Sequence, residues 1–193
     1  HRAYPLKKGD KVLYHAAAGA LGQILCPWAN ALGAEVIGTV GSKAKEEIAK
    51  KNGCHHVINY SEKDFVKEVE KIFGKNSLDV VYDGVGSKTF KGSIETLRIR
   101  GMMVAFGNAS GYVEKLDIKK DINAKGLFFT RPSIAHYTVK REELVESAKK
   151  VFDAVLTKKF KIEISKRYPL KNAAQAHKDL ENRLLTGPAV IIP

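Results

Sequence analysis

The sequence predicts an α/β fold with a doubly wound parallel sheet, and three observations point to it. Short β-branched runs alternate with longer amphipathic segments over residues 11–130. The runs are almost continuously apolar, as in parallel strands that helices cover on both faces. A glycine-containing turn joins the first run to the first amphipathic segment. Right-handed crossovers leave few other topologies for such an alternation.

The individual elements follow from periodicity and from residues that end helices. Gly33 and Gly53 each follow an amphipathic segment and therefore end the first two helices. Phe65, Val69 and Ile72 share one face at helical spacing and predict the third helix. The predicted strands are 11–15, 35–39, 56–60, 78–83, 101–106 and 127–130, and the predicted helices are 21–32, 43–51, 63–73 and 88–97. A polar loop precedes the sixth strand.

Two features depart from the regular alternation. Pro27 lies inside the first predicted helix, where it should remove one backbone hydrogen bond and kink the helix at a cost of about 3 kcal/mol. After residue 133 the pattern changes to a long helix, an alternating strand, another helix and a short strand. These are predicted at 141–156, 160–168, 172–185 and 189–192. We therefore divide the chain into a domain at 1–133 and an α+β tail at 134–193.

The turn after the first strand carries a variant of the dinucleotide-binding loop. Ala17, Gly19 and Gly22 give an A-x-G-x-x-G pattern between a predicted strand and a predicted helix. Gly19 would let the backbone approach a pyrophosphate, and Gly22 would let the helix pack on the strand. The free N–H groups of the helix N-terminus favour an anion there. A purely structural glycine turn is the alternative.

The end of the second strand indicates which dinucleotide would bind. An NAD site usually has Asp or Glu about 20 residues after the glycines, on the ribose 2′-hydroxyl. Here Gly41 and Ser42 are followed by Lys43 and Lys45, and the first acid is Glu46. Lysines in the first turn of a helix oppose its dipole, so a nearby anion would explain them. The sequence therefore favours NADPH over NADH, unless these lysines form only a solvated first turn.

Composition excludes several classes of protein. The 193 residues carry a formal charge of +12, and 44% are hydrophobic, which is too apolar for a disordered chain. No apolar run reaches the length of a membrane-spanning helix, and the first residues contain no secretory signal. The basic excess is spread along the chain, so nucleic-acid binding stays open but unmarked. The two cysteines, Cys26 and Cys54, are expected to be buried free thiols, which suits a cytoplasmic protein.

Several stretches carry a family resemblance. They are HAAAGALG (15–22), WANALGAEVIGTVGS (28–42), VINY (57–60), VYDGVG (81–86), GMMVAFGNASG (101–111), TRPS (130–133), YPL (168–170) and the final IIP. With these motifs the sequence resembles the zeta-crystallin-type quinone oxidoreductases of the medium-chain dehydrogenase/reductase superfamily. The resemblance implies a Rossmann fold of about six strands.

The resemblance also implies a set of cofactor contacts. Ala17, Gly19, Ala20 and Leu21 would line the pyrophosphate. Gly41, Lys45 and Tyr60 would surround the 2′-phosphate, with Ser42 beside them. The residues implied along the nicotinamide-ribose side are Gly84, Val85, Phe106, Gly107 and Asn108. Arg183 matches a family arginine that also reaches the cofactor.

The family reaction is a zinc-independent transfer of a hydride from NADPH to a quinone or related electron-poor acceptor. An enoyl reductase of the same superfamily is an open alternative.

Since the sequence begins without Met, about where the family's second domain starts, we expect a cofactor-binding piece that lacks a GroES-like catalytic domain. The tail would partly complete that domain, and we expect the piece alone to reduce little quinone. The edge strand 127–130 would pair across a homodimer.

Other chemistry-bearing residues are given structural interpretations. Adjacent residues entering a strand point to opposite faces, so Cys54, His55 and His56 are not expected to bind a metal. His15 is expected to be a packed strand residue rather than a general base. Asp83 is expected to shape the cofactor loop. We name no catalytic residue, because the hydride belongs to the cofactor.

Overall fold

A six-stranded parallel sheet organises the chain. The computed structural model describes residues 2–182 and 184–193. Strand order is β3-β2-β1-β4-β5-β6, with every neighbouring pair parallel. The strands are β1 (Lys11–His15), β2 (Glu35–Val40), β3 (His56–Asn59), β4 (Leu78–Asp83), β5 (Leu97–Ala105) and β6 (Phe128–Thr130). This order reverses between β1 and β4, so it creates the switch point where such sheets bind ligands. The predicted doubly wound α/β fold is confirmed.

Helices cover both faces of the sheet, because strand residues alternate between two cores. Val12 and Tyr14 of β1 enter one apolar cluster with Cys26 and Ala49 from helices on that face. Leu13 of β1 enters the other cluster, which also contains apolar residues of the third and fourth helices along the chain. The helices are α1 (Gly22–Ala31), α2 (Lys43–Lys51), α3 (Phe65–Phe73), α4 (Phe90–Thr96), α5 (Ile134–Tyr137), α6 (Arg141–Leu156) and α7 (Ala173–Glu181). Helices α1 and α2 therefore lie opposite α3 and α4.

A second, two-stranded sheet lies in the C-terminal part. Strand β7 (Lys166–Pro169) pairs in parallel with β8 (Ala189–Ile192). Asp179 of α7 accepts hydrogen bonds from Lys166 Nζ at 2.7 Å, Tyr168 Oη at 2.5 Å and Gln175 Nε2 at 2.7 Å. These hydrogen bonds, of which the one from Lys166 has the largest effect, lower the pKa of the Asp179 carboxyl to about 2. The bonds from Lys166 and Tyr168 fix α7 against β7, whereas Gln175 lies within α7 itself.

Predicted and observed elements differ in a few places. Strand β5 begins at Leu97 instead of residue 101, because Leu97 already pairs with Leu78 before the irregularity that follows in β4. Of the predicted strand 160–168, only residues 166–168 pair with another strand, and the observed strand continues to Pro169. The last helix ends at Glu181, short of residue 185.

The loop before β6 contains helical turns that the sequence reading did not predict. A π-helix covers Ile118–Ile122 and a 3₁₀ turn covers Asn123–Lys125. Asp117 caps the π-helix by accepting the Lys120 N–H at 3.0 Å. Helix α5 was also not predicted. No apolar periodicity marks these short segments.

Helix α1 continues through Pro27 to Ala31, so the expected loss of one hydrogen bond does not end the helix. None of the helices in the described part of the chain combines the length and apolar character needed to cross a membrane.

Candidate functional site

A cavity of about 590 Å³ lies beyond the carboxyl ends of the central strands. Its wall is built from the segments that follow β1, β2, β3, β4 and β5, together with part of the C-terminal segment. Of the residues predicted for cofactor binding, six line it: Gly19, Ala20, Gly41, Lys45, Tyr60 and Val85. The cavity therefore lies where the strand order predicts a ligand site.

The loop after β1 is held in a tight conformation. Ala16 has a positive φ of 62°, and the Ala17 N–H donates to the Thr39 carbonyl at 3.0 Å. A Cβ atom on Gly22 would lie 2.4 Å from the Ala17 carbonyl oxygen. Gly22 thus allows α1 to begin directly against the loop. Gly19 and Ala20 face the cavity in front of the N-terminus of α1.

The end of β2 presents a cation to the cavity. Lys45 lies in the first turn of α2, and Gly41 is in close contact with Tyr60, whose Oη would be 2.6 Å from a Cβ at Gly41. Glu46, the first acid after β2, accepts a hydrogen bond from Asn59 Nδ2 at 3.2 Å and does not line the cavity. After β2, where an NAD site usually has an acid, a lysine rather than an acid therefore lines the cavity.

Asp83 organises the loop after β4. It is buried, and its Oδ1 accepts the N–H groups of Val85 at 2.8 Å and Gly86 at 3.0 Å. The hydroxyls of Thr89 and Ser93 donate to the same carboxylate at 2.8–3.2 Å. Val85 is thereby fixed in the cavity wall. These contacts agree with the structural role expected for Asp83.

His15 forms part of the same buried network. Its Nδ1 lies 2.9 Å from Thr39 Oγ1 and its Nε2 lies 2.9 Å from Ser93 Oγ. Burial lowers the pKa of His15 to about 4, despite the opposing effect of Asp83. A neutral ring tied to two hydroxyls is a packed strand residue, as expected.

The loop after β5 approaches the loop after β4 closely. A Cβ at Gly107 would lie 2.5 Å from the Gly84 carbonyl oxygen, and a Cβ at Gly84 would lie 2.8 Å from the Phe106 ring. The Ser110 N–H donates to the Val85 carbonyl at 2.7 Å. A residue with a Cβ atom would therefore require a backbone shift at position 107 and a movement of the Phe106 ring at position 84. The loops therefore form one continuous wall beside the cavity.

Eight predicted residues do not line the cavity itself. They belong to the same loops and helix starts as residues that do line it: Ala17, Leu21, Gly22, Ser42, Gly84, Phe106, Gly107 and Asn108. Arg183 lies outside the described residues. The assignment of cofactor contacts to all of these residues stays a prediction.

The cavity also includes residues that sequence analysis did not identify. Leu180, Leu185 and Gly187 come from the C-terminal segment, which Gln23 holds in place. Gln23 Nε2 donates to the Ala18 carbonyl at 3.0 Å and to the Thr186 carbonyl at 2.6 Å. No local pattern marks a contact over this sequence separation. By contrast, the lining residues Lys63, Asp64 and Lys88 follow strands β3 and β4, so the rule about carboxyl ends could have found them.

The histidines and cysteines near β3 have other partners. His55 Nδ1 accepts the Val36 N–H at 3.0 Å, and His56 Nε2 lies 3.2 Å from Glu35 Oε1. Cys26 and Cys54 are both buried free thiols. A hydrogen bond with Cys54 and, to a smaller extent, burial raise the pKa of the Cys26 thiol. Among residues 2–182 and 184–193, no three His, Cys, Asp or Glu side chains come together as metal ligands.

A family model described as zinc-binding dehydrogenase matches residues 20–156. The chain belongs to this family. The described residues offer no ligand set that fits a zinc ion, so the family description is not a basis for a zinc site in this part of the protein.

Individual relatives match the chain over its full length. It is 45% identical to the 2-haloacrylate reductase of a Burkholderia species and 43% identical to quinone oxidoreductase 1 of Escherichia coli. The crystal structure of Escherichia coli quinone oxidoreductase complexed with NADPH superposes with a TM-score of 0.94 at 42% identity. The chain spans 58% and 59% of the two relatives and 60% of that crystallised chain. The fold and the family resemblance expected from the sequence are confirmed.

Proposed function

We propose that the chain binds NADPH, and that the protein containing it transfers a hydride from NADPH to a quinone or a related electron-poor acceptor. The observation that carries the proposal is Lys45 in the cavity beside Gly41 and Tyr60, where an NAD site would place an acid. The similarity to a quinone oxidoreductase crystallised with NADPH supports the same cofactor.

We assign residues in and beside the cavity to the parts of NADPH. The loop of Ala17, Gly19, Ala20 and Leu21 and the start of α1 at Gly22 would hold the pyrophosphate through N–H groups and the helix dipole. Gly41, Ser42, Lys45 and Tyr60 would hold the 2′-phosphate, and Lys45 would supply a charge-assisted hydrogen bond. Arg183 is a further proposed contact.

The remaining wall would orient the reacting end of the cofactor. Gly84, Val85, Phe106, Gly107 and Asn108 are the residues proposed for the nicotinamide-ribose side. The loops are fixed by Asp83 and by the close approach at Gly107, so this wall needs little rearrangement when the cofactor binds. NADPH, when bound, supplies the hydride. No part of the proposal depends on a zinc ion.

A chimera tests the proposed reaction. The chain would replace the matching segment of Escherichia coli quinone oxidoreductase 1, and NADPH oxidation would be followed with a quinone acceptor. We expect turnover, with a raised KM for NADPH in the Lys45→Ala chimera. A folded chimera that binds NADPH but does not reduce the quinone would contradict the reaction.

A second acceptor class is favoured by one observation, the 45% identity to a 2-haloacrylate reductase. Such an acceptor is an electron-poor alkene rather than a quinone, which matches the enoyl-reductase alternative. A second chimera in the 2-haloacrylate reductase would be assayed with 2-chloroacrylate. Activity in this chimera alone would favour the alkene.

We also propose a homodimer formed through β6. This strand lies at one edge of the described sheet, and the Phe128 and Phe129 side chains are 58% and 39% exposed. An apolar edge strand favours pairing with a second copy. Sedimentation velocity should show a dimer that Phe128→Lys dissociates, whereas Leu156→Lys on the exposed face of α6 should not. A wild-type monomer at high protein concentration would contradict the proposal.

The boundary and the compartment also stay proposals. A division after residue 133 is supported by the six-stranded sheet, whose last strand ends at Thr130, while the second sheet begins at Lys166. A cytoplasmic location is supported by the buried free thiols of Cys26 and Cys54. The nucleic-acid alternative finds no support in the comparisons and is not carried further.

A further inference from the structure

Lys63 lines the same cavity as Lys45, although neither the family resemblance nor the sequence pattern assigns it a role. It lies between β3 and α3, three residues after Tyr60. Tyr60 and Gly41 also line this part of the wall. Two lysines, one in the first turn of α2 and one in the segment before α3, therefore line one cavity.

The loop that carries Lys63 is fixed against the end of β2. The Tyr60 N–H donates to the Val40 carbonyl at 3.0 Å, and Ser61 Oγ donates to the Gly41 carbonyl at 2.8 Å. The Lys63 N–H donates to the Asn59 carbonyl at 3.0 Å. The backbone of Lys63 thus keeps a defined position relative to Gly41, and only its side chain has to be ordered by a ligand.

The ammonium group of Lys63 is weakly paired in the structure. Its distance to Glu68 Oε2 is 3.8 Å, whereas Lys71 Nζ lies 2.6 Å from Glu68 Oε1. The neighbouring carboxylate of Asp64 accepts the N–H groups of Val66 and Lys67 and so caps α3. Since the Lys63 side chain is 58% exposed, moving its ammonium group from Glu68 to a stronger anion costs little.

We propose that Lys63 is a second cation for the 2′-phosphate and increases the discrimination between NADPH and NADH. The inference rests on the proposed function. NADPH and NADH share the nicotinamide and the pyrophosphate and differ in the 2′-phosphate, so a contact confined to that group changes the affinity for NADPH alone. A phosphate dianion can accept hydrogen bonds from two ammonium groups at once.

The test is a set of fluorescence titrations of the purified chain with NADPH and with NADH. For Lys63→Gln we expect a roughly threefold to tenfold weaker affinity for NADPH and an unchanged affinity for NADH. Lys63→Arg keeps the charge and should retain most of the discrimination. The loss should shrink at high salt, because the contact is partly exposed to solvent.

Two control variants separate a specific contact from the general charge of the cavity. Lys67→Gln neutralises an exposed lysine on α3 outside the cavity lining. Lys88→Gln neutralises a lysine in the cavity wall after β4, where its N–H donates to Ser110 Oγ at 3.1 Å. Neither variant should reproduce the selective loss. If Lys88→Gln has the same effect as Lys63→Gln, a diffuse positive potential is responsible and the inference is wrong.

Failure of this inference is distinguishable from failure of the proposed function. If wild type prefers NADPH and Lys45→Ala abolishes the preference while Lys63→Gln has no effect, only the role of Lys63 is overturned. If wild type shows no preference for NADPH, the proposed 2′-phosphate site and the role of Lys63 both fall.

Discussion

Asp83→Ala should destabilise the protein more than removal of any exposed carboxylate. The substitution leaves the buried N–H group of Gly86 and the part-buried N–H group of Val85 without their acceptor. The hydroxyls of Thr89 and Ser93 keep alternative acceptors, at 3.2 Å and 2.9 Å, so they add little. Each unsatisfied buried N–H costs about 1–3 kcal/mol, which predicts a total of about 4 kcal/mol.

Urea unfolding measures this loss directly. A change of about 4 kcal/mol should lower the midpoint with little change in the slope, and should lower Tm by about 8–16 °C in a domain of this size. Asp64→Ala is the matched control, because Asp64 caps α3 at an exposed position and should cost about 1 kcal/mol. Equal losses for the two variants would refute the assignment of Asp83 as the organiser of the loop.

Three further predictions concern the frame around the cavity. Gly22→Ala places a Cβ 2.4 Å from the Ala17 carbonyl oxygen. We therefore expect the free energy of unfolding in urea to fall by about 1–3 kcal/mol and the binding of both NADPH and NADH to weaken. Unchanged binding would contradict the close packing of the loop. Burial lowers the pKa of His15 from 6.5 to about 4, so the unfolded chain is protonated first as the pH falls. The free energy of unfolding should therefore drop by about 3 kcal/mol between pH 6.5 and pH 4, and His15→Gln should flatten that dependence. Lys125 Nζ donates to the carbonyls of Ile94, Glu95 and Leu97 at 2.8–3.1 Å. Lys125→Met should therefore lower the free energy of unfolding in urea by about 1–3 kcal/mol. This loss should exceed that of the control Lys120→Met, which changes an exposed lysine of the same loop.

The central sheet could be predicted from the sequence because its signals are local. Strands β1 and β4 and helix α2 have the predicted bounds, since apolar runs and turn glycines mark their ends. The first residues of β5 were not predicted, because Arg98 and Arg100 interrupt the apolar run and only pairing with β4 extends the strand. Residues 160–165 alternate like a strand but have no pairing partner in the described sheets.

The parts of the candidate site that could be predicted from the sequence are those at strand ends and in the glycine-containing loop. Gly19 and Lys45 could be placed because a strand, a turn and a helix follow one another in the sequence. The position of Leu185 could not be predicted, because it depends on how the C-terminal segment is held. That segment is held by a hydrogen bond from Gln23 to the Thr186 carbonyl, across 163 residues of sequence. The rule about carboxyl ends could have placed Lys63 near the site, because it follows the third predicted strand, although no local pattern distinguishes a lysine that lines a cavity from a solvated one.

The measurement that tests the account most directly is a titration of the chain with NADPH and with NADH, followed by nicotinamide fluorescence. We expect tighter binding of NADPH, and a roughly tenfold weaker affinity for NADPH alone in Lys45→Ala. Lys43→Ala is the matched control, because Lys43 lies in the same turn of α2 but does not line the cavity. Equal affinity of wild type for both cofactors, or equal effects of the two variants, would contradict the proposed 2′-phosphate site.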